Sequence, residues 1–583
     1  MKKEIRRRPV ISEQIQFSTA IPSALGSIYA TRGVFSDEQL ANELARLSTP
    51  DTFKGLPDAA ALIADCIEQQ QSILIIGDFD ADGATSTALS VLALRALGAS
   101  KVDFLVPNRF EYGYGLTPEI VAVAATMKPD LIITVDNGIS SCDGVAAANT
   151  AGIRVLVTDH HLPGQQIPDA ACIVNPNQPG CGFPSKNLAG VGVIFYVLTA
   201  LRTELRKRNW FERAGIAAPN LADFLDLVAL GTVADVVALD HNNRVLVAQG
   251  LRRIRAGRCR PGIRALLEVA KRSIDRIVAS DLGFAVGPRL NAAGRLDDMT
   301  LGIQCLLTDD MHAAREIAQE LDDLNRDRRA IEADMQREAL SVLESLHLSD
   351  NSTMPWGLCL YRPEWHQGVI GILASRVKDR YHRPVIAFAA ADMVGAGGEL
   401  IKGSARSIPG LHIRDALDAV AAKNPGLLSK FGGHAMAAGM SLERRNFEAF
   451  SAAFDTVVRE HLDEADLTAV LWSDGELGLD TMTLDFAQAL RDGGPWGQHF
   501  PEPLFDGEFI IVQQRLVGEK HLKLVLADPR NPKLIIDAIA FHVDTRQWPD
   551  PGIERVRVAY RLDINEWRGQ QSVQLMVEYL EPA

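Results

Sequence analysis

With 583 residues, 47% of them hydrophobic and 23% charged, the chain has ordinary globular composition and material for several domains of roughly 150 residues each. Its formal net charge of −14 argues against a nucleic-acid partner held by bulk charge, although metal-binding carboxylates add negative charge and a local basic groove is invisible to the total. Seven scattered cysteines without a CxxC pair argue against a disulfide framework or structural zinc and fit a reducing cytoplasm, and no apolar run approaches the ~20 residues that span a bilayer.

The opening MKKEIRRRP has the charge of a secretion signal but no apolar stretch after it, so it reads as a solvated basic tail on a helical lead-in over residues 1–50. Between Ser72 and Asp159, the β-rich runs SILIIG, VDFLVP, DLIITVD and RVLVTD alternate with helical patterns, among them ATSTALSVLALRALG with an apolar stripe. Such alternation predicts a parallel sheet with helices on both faces, within a domain spanning 51–303. Over 304–347, Ile317, Leu321, Leu324, Ile331, Met335, Val342 and Leu346 recur at steps of three, four or seven in a segment without Gly or Pro. One amphipathic helix, roughly 60 Å long, is expected there, connecting two lobes. Residues 348–462 read as a second α/β lobe, with strands GLCLY and PVIAFAA, helices GILASRVKDRY and IRDALDAVAAK, and glycine turns at GAGG and FGGH. Residues 463–583 change to five alternating strands, the pattern of a small OB-like β-barrel expected to be separable from the rest.

The chemistry concentrates in GDFDADGATST, where Asp78, Asp80 and Asp82 follow a predicted strand and precede a predicted helix. Three carboxylates this close repel one another unless cations neutralise them. An EF-hand loop is excluded because its twelfth position, counted from Asp78, is Leu89 rather than Glu, leaving an Asx-rich turn as the bland alternative. DLIITVDNG then places Asp136 after a second strand, RVLVTDHH places His160 and His161 after a third, and VALGTVADVVAL sets Asp235 among apolar residues. In an open parallel sheet, ligands gather at the carboxyl ends of the strands, so Asp80, Asp82, Asp136 and His160 are expected at one sheet edge. Oxygen-dominated ligation favours Mg2+ or Mn2+ over zinc, and the imidazole tilts the choice toward Mn2+. Two such ions can stabilise both the attacking and leaving oxygens of a phosphoryl displacement, with no Ser or Cys nucleophile required.

DFDADG, VDNG, DHH and GTVADVV, in this order, resemble the four motifs of the DHH phosphoesterase superfamily. VPNRFEYGYGL, GPRLNAAGRL, HQGVIGILASRV, GSARS and FGGHAMAAGM resemble, more narrowly, its RecJ branch. The resemblance implies metal ligation by Asp80, Asp82, Asp136, His160 and Asp235, with catalytic roles for the same residues and His161 on the scissile phosphate. Small relatives in the superfamily carry a histidine four residues before the first DxD aspartate. Ile76 stands there in this chain, so Asp78 is expected either to complete that site or to support its ligands. Substrate contacts are expected from Arg109, Arg289, Asn291 and Arg295 near the metals, and from Arg376, Ser404, Arg406 and His434 in the second lobe. The alternative for each arginine is a structural ion pair.

The resemblance further implies a 5′ to 3′ exonuclease for single-stranded DNA acting in repair and recombination, monomeric, cytoplasmic, and partnered by a single-strand-binding protein and a helicase. Hydrolysis of short oligonucleotides or cyclic dinucleotides is the second reading, and a scaffold with a dead site the third. In the barrel, Lys520, Lys523, Lys533, Arg561 and Arg568 with Phe541, Tyr560 and Trp567 are candidates for a nucleic-acid groove, the aromatics being alternatively barrel core.

Overall fold

The first element is no free tail: Glu4–Arg7 form a strand, β1, paired in parallel with β12 (Val470–Ser473), far along the chain. The computed structural model describes residues 3–9, 11, 15–107, 115–345, 354–391, 400–478 and 481–583. They fall into two bodies, one of Arg8–Asn325 with Asp474–Ala583, the other of Met1–Arg7 with Arg326–Ser473.

The first body is built on five parallel strands: β2 (Ser72–Gly77), β3 (Lys101–Leu105), β4 (Leu131–Val135), β5 (Arg154–Thr158) and β6 (Cys172–Val174). Their spatial order is β3-β2-β4-β5-β6, a doubly wound sheet whose direction of winding reverses between β2 and β4. The four predicted strands form, and the three-residue β6 is an addition that the sequence reading lacked. The helix Ala81–Ala96, expected to show one apolar stripe, is instead buried on nearly every side. Its hydroxyls tolerate this by bonding back to the helix itself, with Thr85 Oγ1 donating to Ala81 O at 2.9 Å and Ser90 Oγ to Ser86 O at 2.7 Å. It lies against the helices Gly190–Lys207, Leu225–Ala234 and Thr300–Leu307.

The same body contains the closed barrel of β13 (Phe505–Val517), β14 (His521–Asp528), β15 (Asn531–Ala540), β16 (Arg555–Trp567) and β17 (Gln570–Pro582). The order β13-β14-β15-β17-β16, with β15 and β17 parallel, is that of an OB-fold. The barrel is not a detachable module. One apolar core runs without a break from Tyr29 and Leu239 through Phe500 to Phe505, Leu524 and Tyr560. The ring of Tyr29 stacks on Trp496 at 5.7 Å, and the Arg244 guanidinium lies 4.4 Å from the Phe500 ring centre.

The second body carries a mixed sheet in the order β10-β11-β9-β8-β7, where β7 is Leu358–Tyr361, β8 Val385–Ala390, β9 Leu400–Arg406, β10 Lys430–Gly433 and β11 Ala437–Glu443. FGGH is therefore mostly strand rather than a turn, GSARS lies largely on β9, and GAGG falls outside the described residues. A helix of 35 residues, Met311–Ser345, runs from the first body into the second. It starts later than the expected 304, because Thr300–Leu307 is a separate helix. All seven cysteines are free, and among the described residues no helix is long and apolar enough to cross a membrane.

Where the chain re-enters the first body, Asp474 accepts a two-pronged ion pair from Arg32, Nη1 to Oδ1 at 2.7 Å and Nη2 to Oδ2 at 2.9 Å, with both side chains buried. Removing one partner leaves a buried charge without its counter-ion. Asp474→Ala should therefore lower stability by about 3–5 kcal/mol, read from denaturant melts.

Candidate metal centre

The strand β2 ends at Gly77, and the chain turns at once into the helix Ala81–Ala96. Asp80 caps that helix, its Oδ1 accepting from Asp82 N at 2.9 Å and Gly83 N at 3.1 Å. Asp82, in the first turn, is buried and points across to the helix Gly190–Lys207. Gly190 N donates to its Oδ2 at 2.6 Å and Val191 N to its Oδ1 at 3.0 Å. A helix N-terminus thus steadies one carboxylate of the cluster. AGVGV, which provides it, was not singled out in the sequence, because nothing local says that a distant helix starts against Asp82.

Asp136 follows β4 in a left-handed conformation, φ 63°, which aspartate tolerates better than most residues. Asn137 beside it bonds the carbonyls of Ile76 and Val135 at 3.1 and 2.9 Å, fixing the ends of β2 and β4 together. His160 follows β5, its Nε2 lying 3.1 Å from Asp136 Oδ1 and 3.5 Å from Asp235 Oδ2. Asp235 arrives from the end of the helix Leu225–Ala234 rather than from a strand. The seven expected residues Asp78, Asp80, Asp82, Asp136, His160, His161 and Asp235 all meet beside the β2–β4 reversal. They form three overlapping groups, Asp78 with Asp80 and Asp136, Asp82 with His160 and Asp235, and Asp136 with both histidines, whose ligand atoms within each group lie within 4.8 Å of one another.

Asp159, between strand and histidines, was absent from the expected set. Its Oδ1 accepts from His160 N and His161 N and sits 2.7 Å from His161 Nδ1, while Oδ2 accepts from Ile139 N at 2.9 Å. Burial works against its charge, but the His161 hydrogen bond and both imidazoles hold it below the usual carboxylate range. Burial likewise works against a charged His161, yet the bond to Asp159 outweighs it and raises the imidazole to about 9. Burial, followed by the charge of Asp80, pushes the Asp82 carboxyl up to about 7. Burial and neighbouring carboxylates hold Asp78, Asp136 and Asp235 well above the ordinary range. Buried carboxylates that resist ionising together, with an imidazole among them, are a donor set suited to hard divalent cations.

The remaining expected contacts are placed differently. Arg289 is buried, with Nη2 2.7 Å from Asp322 Oδ1 on the long helix. Asn291 Oδ1 accepts from Ala81 N at 2.7 Å, and a Cβ at Gly294 would stand 1.8 Å from Phe79 O. The GPRLNAAGRL helix therefore clamps the aspartate turn, with the partly buried Arg295 at its end. Arg109 lies outside the described residues. In the second body, Arg376 Nε donates to Glu332 Oε1 at 2.8 Å. Arg406 Nη1 reaches Ser404 Oγ at 3.2 Å on β9, and the exposed His434 stands at the β10–β11 turn. A Cβ at Gly371 would come within 2.9 Å of both Arg406 Nη2 and Ser404 Oγ, so the start of the helix Ile370–Tyr381 adjoins that pair. In the barrel, Tyr560 is fully buried and belongs to the core, Arg561 pairs with Glu502 and Glu578 at 3.0 and 3.1 Å, and Lys523 pairs with Asp537 at 2.8 Å. Phe541 is half-exposed, Lys520 and Lys533 are exposed, and the side chain of Trp567 lies outside what the structure describes.

Comparison with known proteins agrees with this layout. Residues 72–232 match the DHH family, N-terminal domain, 357–460 the DHHA1 domain, and 473–579 the RecJ OB domain. The single-stranded-DNA-specific exonuclease RecJ of Dickeya dadantii is 56% identical over 99% of both chains. The chain belongs to the RecJ family. The RecJ of Escherichia coli is 55% identical over the full length of both. Among solved structures, RecJ from Thermus thermophilus in complex with Mn2+ superimposes with a TM-score of 0.78 at 30% identity, covering 98% of this chain and 80% of that one. Its Mg2+ complex gives 0.74 at 28% identity, covering 99% and 78%.

Two expectations follow for this RecJ-family centre. A Cβ at Gly190 would stand 2.6 Å from Asp136 Cβ, so Gly190→Ala should displace that carboxylate and lower turnover about a hundredfold while the far-ultraviolet spectrum stays unchanged. In chelated protein, the raised carboxyl pKa values make the folded state hold protons that the unfolded state has released, so stability falls as pH rises from about 4 to about 7. His161 adds stability that is complete below about 6.5 and lost as pH rises through about 9, which acts in the same direction. The melting temperature without metal should fall across this range. Mn2+ should raise it more at about pH 8 than at about pH 5, as read by scanning fluorimetry.

Proposed function

We propose that this chain is a metal-dependent exonuclease that hydrolyses single-stranded DNA from the 5′ end, with two Mn2+ or Mg2+ ions at the centre. The observation that carries the reading is the full ligand set, Asp78, Asp80, Asp82, Asp136, His160 and Asp235, assembled where a doubly wound sheet reverses. Relatives of 55–56% identity along the whole chain are named single-stranded-DNA-specific exonucleases. When bound, the cations would neutralise phosphate charge and ease deprotonation of the attacking water. Asp136, common to two of the ligand groups, fixes their relative positions. His161, oriented by Asp159 through Nδ1, is assigned to the scissile phosphate. Water adds to phosphorus as the bond to the leaving sugar oxygen breaks, and that oxygen takes up a proton.

Backbone contacts are assigned to Arg376, Ser404, Arg406 and His434 of the second body, where a guanidinium, a hydroxyl and a helix start offer donors to phosphate oxygens. Arg295 is assigned the same task nearer the metals and Arg109 keeps the substrate contact that the resemblance implies, whereas Arg289 and Asn291 act by holding the aspartate turn. In the barrel, Phe541, Lys520 and Lys533 are the accessible members of the proposed groove, with Arg568 beside the β16–β17 turn. By resemblance to the family we assign this enzyme to DNA repair and recombination, in the cytoplasm, as a monomer working with a single-strand-binding protein and a helicase. Hydrolysis of short oligonucleotides remains the second reading, and the fused barrel favours a longer polymer.

Asp136→Ala or His160→Ala should lower hydrolysis of single strands by at least about a hundredfold, and chelator should do the same to the wild type until Mn2+ is restored. Digestion of 5′- and 3′-labelled single strands, duplex and RNA tests polarity and substrate together. Full activity in excess chelator, or loss of nucleotides from the 3′ end first, is the result that counts against the reading.

A further inference from the structure

Four large apolar side chains among the described residues are more than 60% exposed: Leu162 at 61%, Val236 at 64%, Phe284 at 80% and Ile535 at 61%. Ile535 lies on the barrel strand β15. The other three lie on segments tied to the metal centre. Leu162 follows His161 directly, and Val236 follows Asp235 in a left-handed conformation, φ 63°, that a β-branched residue resists. Phe284 sits on the element packed against the segment that carries Asp235, where Val233 Cγ1 comes within 3.2 Å of a Cβ placed on Gly283.

Local structure holds Phe284 outward. The chain from Ala279 to Leu296 is helical, but Leu282–Val286 form a π-turn. Pro288 is the cause, since in a regular helix its ring would collide with the Phe284 carbonyl and its missing N–H would leave that carbonyl without a donor. The wider turn is pinned by Arg289, whose Nη1 donates to Ala285 O at 2.5 Å while Nη2 and Nε grip Asp322. An ion pair buried behind the helix thus braces a phenyl ring in front of it.

Exposed apolar side chains are unfavourable in water, and an exposed ring on the element packed against the Asp235 segment, with Leu162 and Val236 each next to a residue of the cation cluster, describes a ligand that is anionic on one part and flat and apolar on another. A nucleotide has both parts. We propose that Phe284, with Leu162 and Val236 as further apolar surface, is a nucleobase subsite of the metal centre, on which an unpaired base stacks while its phosphate faces the ligands. This deepens the proposed exonuclease reading and rests on it. A base in a duplex has both faces covered by its neighbours, so a ring that demands a free face selects single strands next to the chemistry, and Phe284 is a specificity-determining residue.

The test uses the full chain with Phe284→Ala and Phe284→Trp on a 3′-labelled single strand, and on a series in which one abasic sugar is moved inward from the 5′ end. Because Phe284 is exposed, both variants should melt as the wild type does. Phe284→Ala should raise KM about tenfold with kcat little changed, and Phe284→Trp should retain wild-type KM. For the wild type, one abasic position should raise KM by a similar factor, and in Phe284→Ala that position should have no further effect. If wild type and Phe284→Ala show the same KM on intact and abasic strands, the subsite is wrong while the exonuclease reading stands. If the wild type leaves single strands intact in Mn2+, both readings fall together.

Discussion

The constraint on which this molecule turns is repulsion among five aspartates. Asp78, Asp80, Asp82, Asp136 and Asp235 converge beside the point where the sheet reverses, most of them buried, and burial with mutual charge makes their joint ionisation unfavourable. Much of the surrounding architecture serves to hold them there. The N–H groups of Gly190 and Val191 meet Asp82, Asp80 spends its own carboxylate on a helix cap, Asn137 ties β2 to β4, and Asn291 fastens the aspartate turn from behind. A centre so arranged is strained without cations and relaxed with them, so metal affinity and conformational rigidity are two readings of the same electrostatics.

Phosphoester chemistry of this kind was legible in the sequence because its motifs are short and three of the four follow a strand. DFDADG, VDNG and DHH carry both the ligand types and the strand-end position, and a doubly wound sheet brings strand ends together without further information. What could not be read is long-range. No local pattern says that AGVGV starts a helix against Asp82, that Asp322 is the partner of Arg289, or that β1 finds β12. The helix Ala81–Ala96 misled in a different way, because its many small residues look like one apolar stripe when in fact close packing surrounds it. Arginines were the least legible residues of all: a guanidinium that binds phosphate and one that braces a helix look alike in sequence, and only the buried carboxylate facing Arg289 separates them.

The barrel illustrates how composition can mark a domain without revealing what it packs against. Its alternating strands and turns read as an independent module, and its topology is that of an OB-fold. Yet Phe505 and Tyr560 share one core with Tyr29 and Phe500, and Arg491 bonds Asp563 on β16 at 2.8 Å from the preceding helix. Apolar surface common to two domains stabilises both and separates neither. Loss of the barrel would therefore be felt in the body that carries the metal ligands, not only in the grip on a long strand.

The pairing of β1 with β12 bears on how the chain is made. Glu4 lies opposite Val470 in register, so β1 has no partner until synthesis has reached β12. At roughly 5–20 residues per second, that wait lasts roughly 25–90 s. An unpaired strand exposed for so long invites edge-to-edge association between nascent chains. The sequence EIRR, exposed along most of its length and mainly charged, lowers that hazard by keeping like-charged strands apart. Charge and exposure along EIRR are thus the features by which an edge strand avoids mispairing while it waits for its sheet.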